Sequence, residues 1–252
     1  LSMSAIGTGY DLSCTTFSTD GRIFQVEYAQ KAADASGTVL GIRTPHGVVL
    51  ACEQLLASKM LVRGENKRIL TVDRHIGACT SGVLADGRCV VERARSECTS
   101  HKTLLKEPMP ARFLTERVAQ YMQMFTMYGS VRPFGAAVLF GGVDSEGSYL
   151  SLCDPSGLSY GFWGVAAGKA KQAAKAELDK LKFENLTMRE AVLHAARIIY
   201  AVHDEQKDKN FELEIGWICE ESGNQFALIP SDLFAEAETA AKAAKDDDDD
   251  DE

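Results

Sequence analysis

Leu114, Val118, Tyr121, Phe125 and Tyr128 lie four, three, four and three positions apart, a single apolar stripe that predicts a helix over Ala111–Tyr128. A second stripe, Val192, Ala195, Ile199 and Val202, predicts a helix over Thr187–His203, opened by the capping-box pair Thr187 and Glu190. Ala170, Ala174, Leu178 and Leu181 mark another over Lys169–Lys182. Further helices are expected over Leu84–Ser100, parted from the next by Pro108 and Pro110, and over Ser231–Lys245. Near the start, Asp20-Gly21 precedes a helical run, Arg22–Ala35, given a wide apolar face by Ile23, Phe24, Val26 and Tyr28.

Strand signals fall between these helices. TVLGI (38–42) and GVVLAC (47–52) flank a turn, as do RILTV (68–72) and IGACT (76–80). A later block holds GAAVLFGGV (135–143), SYLSLCD (148–154) and YGFWGVA (160–166), with DPSG (154–157) as turn chemistry. Phe211–Cys219 alternates apolar positions with Glu212 and Glu214. Strand blocks thus alternate with helix pairs. That order disfavours a doubly wound parallel sheet and suits two antiparallel sheets face to face with helices outside, an α+β four-layer αββα sandwich. No linker divides the body. One domain is expected over 21–245, after a flexible lead (1–20) and before an acidic, disordered tail (246–252).

Composition narrows the classes. The formal charge is −9, but the seven acids from Asp246 to Glu252 supply most of it. The near-neutral remainder offers no footprint for nucleic acid. No apolar run is long enough to span a bilayer, so no membrane partner is expected, and no charged-then-apolar leader opens the chain. Seven scattered cysteines without a C-x-x-C pair read as buried free thiols, and the five histidines lack ligand spacing, so neither a metal nor any other cofactor is expected. GVAAGKAK (164–171) lacks the spacing of a phosphate-binding loop. His203-Asp204-Glu205 reads as a solvated or capping cluster, and Trp163 and Trp217 as core or interface.

The element order and a set of motifs resemble the α-type subunits of the proteasome. TTFSTDGRIFQVEYAQKA (15–32) is similar to that family's N-terminal signature, and NKRILTVDRHIG (66–77), SGVLADGR (81–88), SVRPFG (130–135), DPSG (154–157) and GKAKQAAKAELDKL (168–181) follow in family order. IGTGYDLS (6–13), VHDEQKDKNFELEI (202–215) and the acidic tail narrow the resemblance to one eukaryotic branch. The chain departs from the family at Thr19, where proline is common, which puts in question how firmly that turn is held.

The resemblance implies the fold of N-terminal-nucleophile hydrolases with an extra N-terminal helix. It implies a non-catalytic subunit of a threonine endopeptidase complex, placed in the outer heptameric ring of the 20S core particle, in cytoplasm and nucleus. Its partners would be neighbouring α subunits, β-ring subunits and activators or a regulatory particle, with unfolded polypeptides passing through the ring for ubiquitin-dependent or ubiquitin-independent degradation. Tyr10, Asp11 and Tyr28 match the family's gate residues, and Gly7 and Gly9 keep the gate's lead conformationally permissive. Lys67 or Arg68, with Gly82 and Val83, align with the pocket that takes an activator's C-terminal carboxylate.

The competing reading is an active threonine hydrolase using Thr38, since Gly37-Thr38 imitates a processing site. Against it, residues 1–37 hold the α signature and leave Thr38 without a free amine. Glu53 stands where active subunits use aspartate, and Arg68 where they use a lysine that an arginine cannot replace as a proton carrier. Lys67 is one residue off and faces the other way on a strand. A free-standing binding module would instead be a stable monomer.

Overall fold

GVVLAC shows no alternation because both of its faces are covered. Val49 and Ala51 join one apolar cluster, whereas Val48, Leu50 and Cys52 join another on the opposite side of the strand. The computed structural model describes residues 9–56, 58, 60–62, 64–204 and 211–250. Helix α1 (Phe24–Asp34) leads into β1 (Val39–Thr44), β2 (Gly47–Leu55), β3 (Ile69–Asp73) and β4 (Ile76–Gly82). Helices α2 (Leu84–Leu105) and α3 (Ala111–Met124) follow, then β5 (Ala136–Asp144), β6 (Gly147–Cys153), β7 (Ser159–Gly161) and β8 (Gly164–Ala167). The chain closes with α4 (Lys171–Leu178), α5 (Met188–Val202), β9 (Phe211–Cys219), β10 (Ala227–Leu228) and α6 (Ser231–Asp250).

Two antiparallel sheets form, in the orders β10-β9-β2-β1-β8 and β3-β4-β5-β6-β7. Three apolar clusters separate four layers. One lies between α4, α5, α6 and the first sheet, one between α2, α3 and the second, and one between the sheets. This is the expected αββα sandwich. α1 stands outside the layers, packed on β4 and β5.

The segment 160–166, expected as one strand, is two. β7 pairs with β6 in one sheet, and β8 pairs with β1 in the other. Phe162-Trp163 carries the chain across, and a ladder cannot continue through a change of sheet. β10 is too short for a periodic signal. α2 runs five residues past its expected end, because no residue from 99 to 108 is buried and the apolar stripe stops while the helix does not. Its last turns are held by Thr99 and Thr103 hydroxyls donating to the carbonyls of Arg95 and Thr99, and it ends on Lys106 at φ 63°.

α3 stops short, at Met124. Phe125 still packs on Phe134, with ring centroids 4.6 Å apart, but Tyr128 leaves the core. α6 continues to Asp250, past the expected end at Lys245 and into the run read as disordered. α5 begins as expected. Thr187 Oγ1 accepts the Glu190 N–H at 3.3 Å, and Glu190 Oε2 accepts the Thr187 N–H at 2.9 Å. Of the seven cysteines, all free, Cys89 is exposed rather than buried.

Candidate functional site

Thr38 lies fully buried at the head of β1, in peptide linkage with Gly37. Its N–H donates to Glu53 Oε2 at 2.8 Å, and the Ala170 N–H reaches its Oγ1 at 3.4 Å. Glu53 comes from β2 directly across the ladder, where Glu53 N–H also donates to Thr38 O at 2.8 Å. Glu53 Oε1 lies 2.5 Å from His203 Nδ1, at the end of α5, and the imidazole packs on Phe211. Both side chains are buried. His203 stands at the C-cap position of α5 but is not solvated: it ends an apolar stripe and turns inward to a buried carboxylate. Its neighbour Glu205 lies outside the described residues.

Arg68, the residue aligned with a catalytic lysine, spends Nη1 on the Thr80 and Gly82 carbonyls at 3.3 and 3.0 Å. Its N–H donates to Glu214, whose carboxyl burial pushes above the usual range, against the lowering effect of three donors. Among the described residues, the Thr38 N–H, the Glu53 carboxylate and the His203 ring each meet a partner, and the Thr38 nitrogen is a peptide amide. This arrangement ties the starts and ends of neighbouring strands together through the Thr38 N–H, Glu53 and His203.

The polar lead is arranged differently. Asp11 Oδ2 accepts the Tyr28 hydroxyl at 3.2 Å, and its carbonyl accepts the Gln25 amide. Burial, then the bond to Asp11, raises the Tyr28 phenol above its ordinary pKa. Phe24 stacks on Tyr28, with centroids 6.2 Å apart, along one face of α1. Gly9 sits in a turn at φ 81°, and Tyr10 is 40% exposed. Gly7 lies outside the described residues. Cys14 is buried, its thiol donating to Tyr128 O at 3.0 Å beyond the end of α3.

The turn that carries Thr19 is firmly tied. Gly21 N–H donates to Ser18 O, Ser18 N–H to Arg22 O, both at 2.9 Å, and Arg22 N–H to Ser18 Oγ at 3.0 Å. Gly21 occupies φ 75°, open to glycine at little cost. Ser18 and Gly21 hold the turn that proline was expected to stiffen. Gln25 and Cys14 were not singled out in the sequence. Gln25 had a readable signal, one helical turn before Tyr28, whereas Cys14 meets α3 only through the fold.

The four pocket residues divide. Arg68 and Gly82 meet through the 3.0 Å bond, and Val83 is 43% exposed at the head of α2. Lys67 is exposed and opens onto a surface cavity of about 400 Å³ bordered by Gly64, Glu65, Arg88 and Arg95. Among the described residues, no cluster of three or more His, Cys, Asp or Glu side chains is placed to hold a metal, and no helix is long and apolar enough to cross a membrane.

A four-layer sandwich whose strand-head threonine is sealed, and whose polar lead docks on an added helix, defines a class that comparison with known proteins makes explicit. Residues 33–218 match the family model described as Proteasome subunit, and residues 10–32 match the N-terminal signature of A-type proteasome subunits. The chain belongs to the proteasome subunit family, as an α-type member, the class of the outer ring. It is 55% identical over 240 residues to the proteasome alpha type-3 subunit of Acanthamoeba castellanii, covering 95% of each chain. It is 52% identical over 249 residues to the protein of the same name in Arabidopsis thaliana, covering 99% of this chain and 100% of that one. The probable proteasome alpha type-7 subunit of Saccharomyces cerevisiae is 49% identical over 239 residues, 93% of this chain and 83% of the other. The alpha type-3 and type-7 relatives agree with the branch to which residues 6–13 and 202–215 pointed.

Proposed function

We propose that the chain is a non-catalytic gating subunit of the outer ring, controlling entry of unfolded polypeptides into the proteasome of cytoplasm and nucleus. It works beside neighbouring α subunits and above the β ring. One observation carries this reading: the polar lead is tied to α1 by a part-buried Asp11–Tyr28 bond, while the strand-head threonine is locked in a peptide bond and hydrogen-bonded to a buried glutamate. Residues 1–20 act as the gate segment on a single folded body from residue 21. Gly7 and Gly9 let the lead turn, and Tyr10, Asp11 and Tyr28 hold its base. Val83, Gly82 and Arg68, with Lys67 on the adjoining cavity, receive the C-terminal carboxylate of an activator, for which a basic donor is the natural partner.

Assembled particles carrying variants of this chain test the reading. Deleting residues 1–9 raises unstimulated hydrolysis of small peptides, in part only, since other subunits supply their own leads. Thr38→Ala leaves peptidase rates unchanged, and a peptide epoxyketone forms no adduct at Thr38. An adduct mapped to Thr38 overturns the non-catalytic reading, and an unchanged basal rate after the deletion overturns the gate.

A further inference from the structure

Asp86 of SGVLADGR (81–88) and the whole of SVRPFG (130–135) have no role in the function above, yet the fold brings them together. Asp86, in the first turn of α2, meets Arg132 through both oxygens, Nη1 to Oδ2 at 2.6 Å and Nη2 to Oδ1 at 2.8 Å. Asp86 Oδ2 also accepts the Gly135 N–H at 2.8 Å, and Gly135 O accepts the Val83 N–H at 2.9 Å. The backbone of Gly135 is gripped through both of its polar groups. The Asp86 side chain is only 11% exposed, so its charge depends on these donors. The Arg132 guanidinium, helped by the Gly135 amide, holds its carboxyl below the usual range.

The gripped backbone forms the floor of the α1 seat. A Cβ on Gly135 would stand 3.4 Å from Ala32 Cβ, and one on Gly82 would stand 2.9 Å from Ala33 Cα and 2.3 Å from Gly135 O. The last turn of α1 therefore rests on bare backbone. Ser81 Oγ donates to Ala33 O at 2.9 Å, and the Gly82 N–H to Ser36 Oγ at 2.6 Å, pinning the helix end to the same place. Tyr28 lies roughly 7 Å further back along a rigid rod rising 1.5 Å per residue. A displacement at the seat is carried to the Tyr28–Asp11 bond.

We infer that Asp86 and Arg132 are positioning residues: their fork sets the height of α1 on β4 and β5 and, through it, the contact that holds the gate segment. The consequence for entry rests on the gating reading; the positioning of α1 does not. Asp86→Asn removes the charge, and Arg132→Lys keeps a charge but loses the two-pronged geometry. Both are placed in assembled particles, and backbone hydrogen exchange is followed in α1 and, as an internal reference, in α5. The expected result is exchange faster by roughly ten- to a hundred-fold in α1, the loss of a charge-assisted bond, with α5 unchanged. Peptide entry without activator changes in the same variants.

Faster exchange in α1 with unaltered entry upholds the positioning role and removes the gating reading. Unaltered exchange in α1, or equal acceleration in α1 and α5, overturns the positioning role. If Asp86→Asn does not assemble, Arg132→Lys decides by the same pair of helices.

Discussion

Around Thr38, two buried side chains, Glu53 and His203, close on each other and on a strand N–H. Around Asp11, a 3.2 Å phenol bond and one side-chain amide tie a surface segment to α1. The two places lie at opposite ends of the short stretch from the lead through α1 into β1. The first is costly to open, since any lost partner leaves a buried polar group without solvent to replace it. The second is only part-buried, so water can take the place of a lost partner and the cost of opening it is lower. The lesson concerns where a protein keeps its adjustable polar contacts: the site that resembles an active centre is the fixed one, and adjustment is left to the surface.

The sharpest way to break this contrast is Glu53→Ala, which strands the buried His203 and the Thr38 N–H together. We expect the full chain to lose about 2–6 kcal/mol, since two buried groups are left unsatisfied at about 1–3 kcal/mol each. Urea unfolding measures it; a loss of less than half that would place the Thr38 region with the surface. Tyr28→Phe should cost only about 1 kcal/mol or less in the same measurement, as one hydrogen bond is worth, while impairing activator-driven opening in assembled particles. A large loss of stability with normal opening would reverse the roles of the two regions.

Thr19→Pro gives the smallest effect and the opposite sign. Thr19 is the second residue of the turn closed by the Gly21 N–H and Ser18 O, a position that suits proline. It should stabilise the chain by about 0.4–1 kcal/mol through the unfolded state. A destabilisation would show that the Ser18–Arg22 bonds already hold the turn in a form proline cannot enter.

Much of this was legible in the chain. The α5 stripe and its Thr187–Glu190 box state a helix and its start, and the α signature states the family. What stayed illegible depends on contacts between distant segments. His203 reads as a polar residue at a helix end until β2 brings Glu53 beneath it. Asp86 and Arg132 sit in recognisable motifs, but only the approach of α2 to the start of β5 makes them a pair. The last turns of α2 bury nothing, so no hydrophobic pattern records them, and the crossing at Phe162-Trp163 is set by which sheet has an open edge.

That crossing has a consequence for synthesis. The sheet β3-β4-β5-β6-β7 is contiguous in the chain and complete once Gly161 has left the ribosome. The other sheet is split, with β1 and β2 made early and β8, β9 and β10 made late. At about 5–20 residues per second, the β1–β2 hairpin waits roughly ten to thirty seconds for Cys219 to emerge and complete the strand it pairs with. Until Cys219 emerges, the edge of β2 that β9 will occupy stands open, and the hairpin face that α5 and α6 will cover is still incomplete, while the opposite face already has the finished second sheet to pack on.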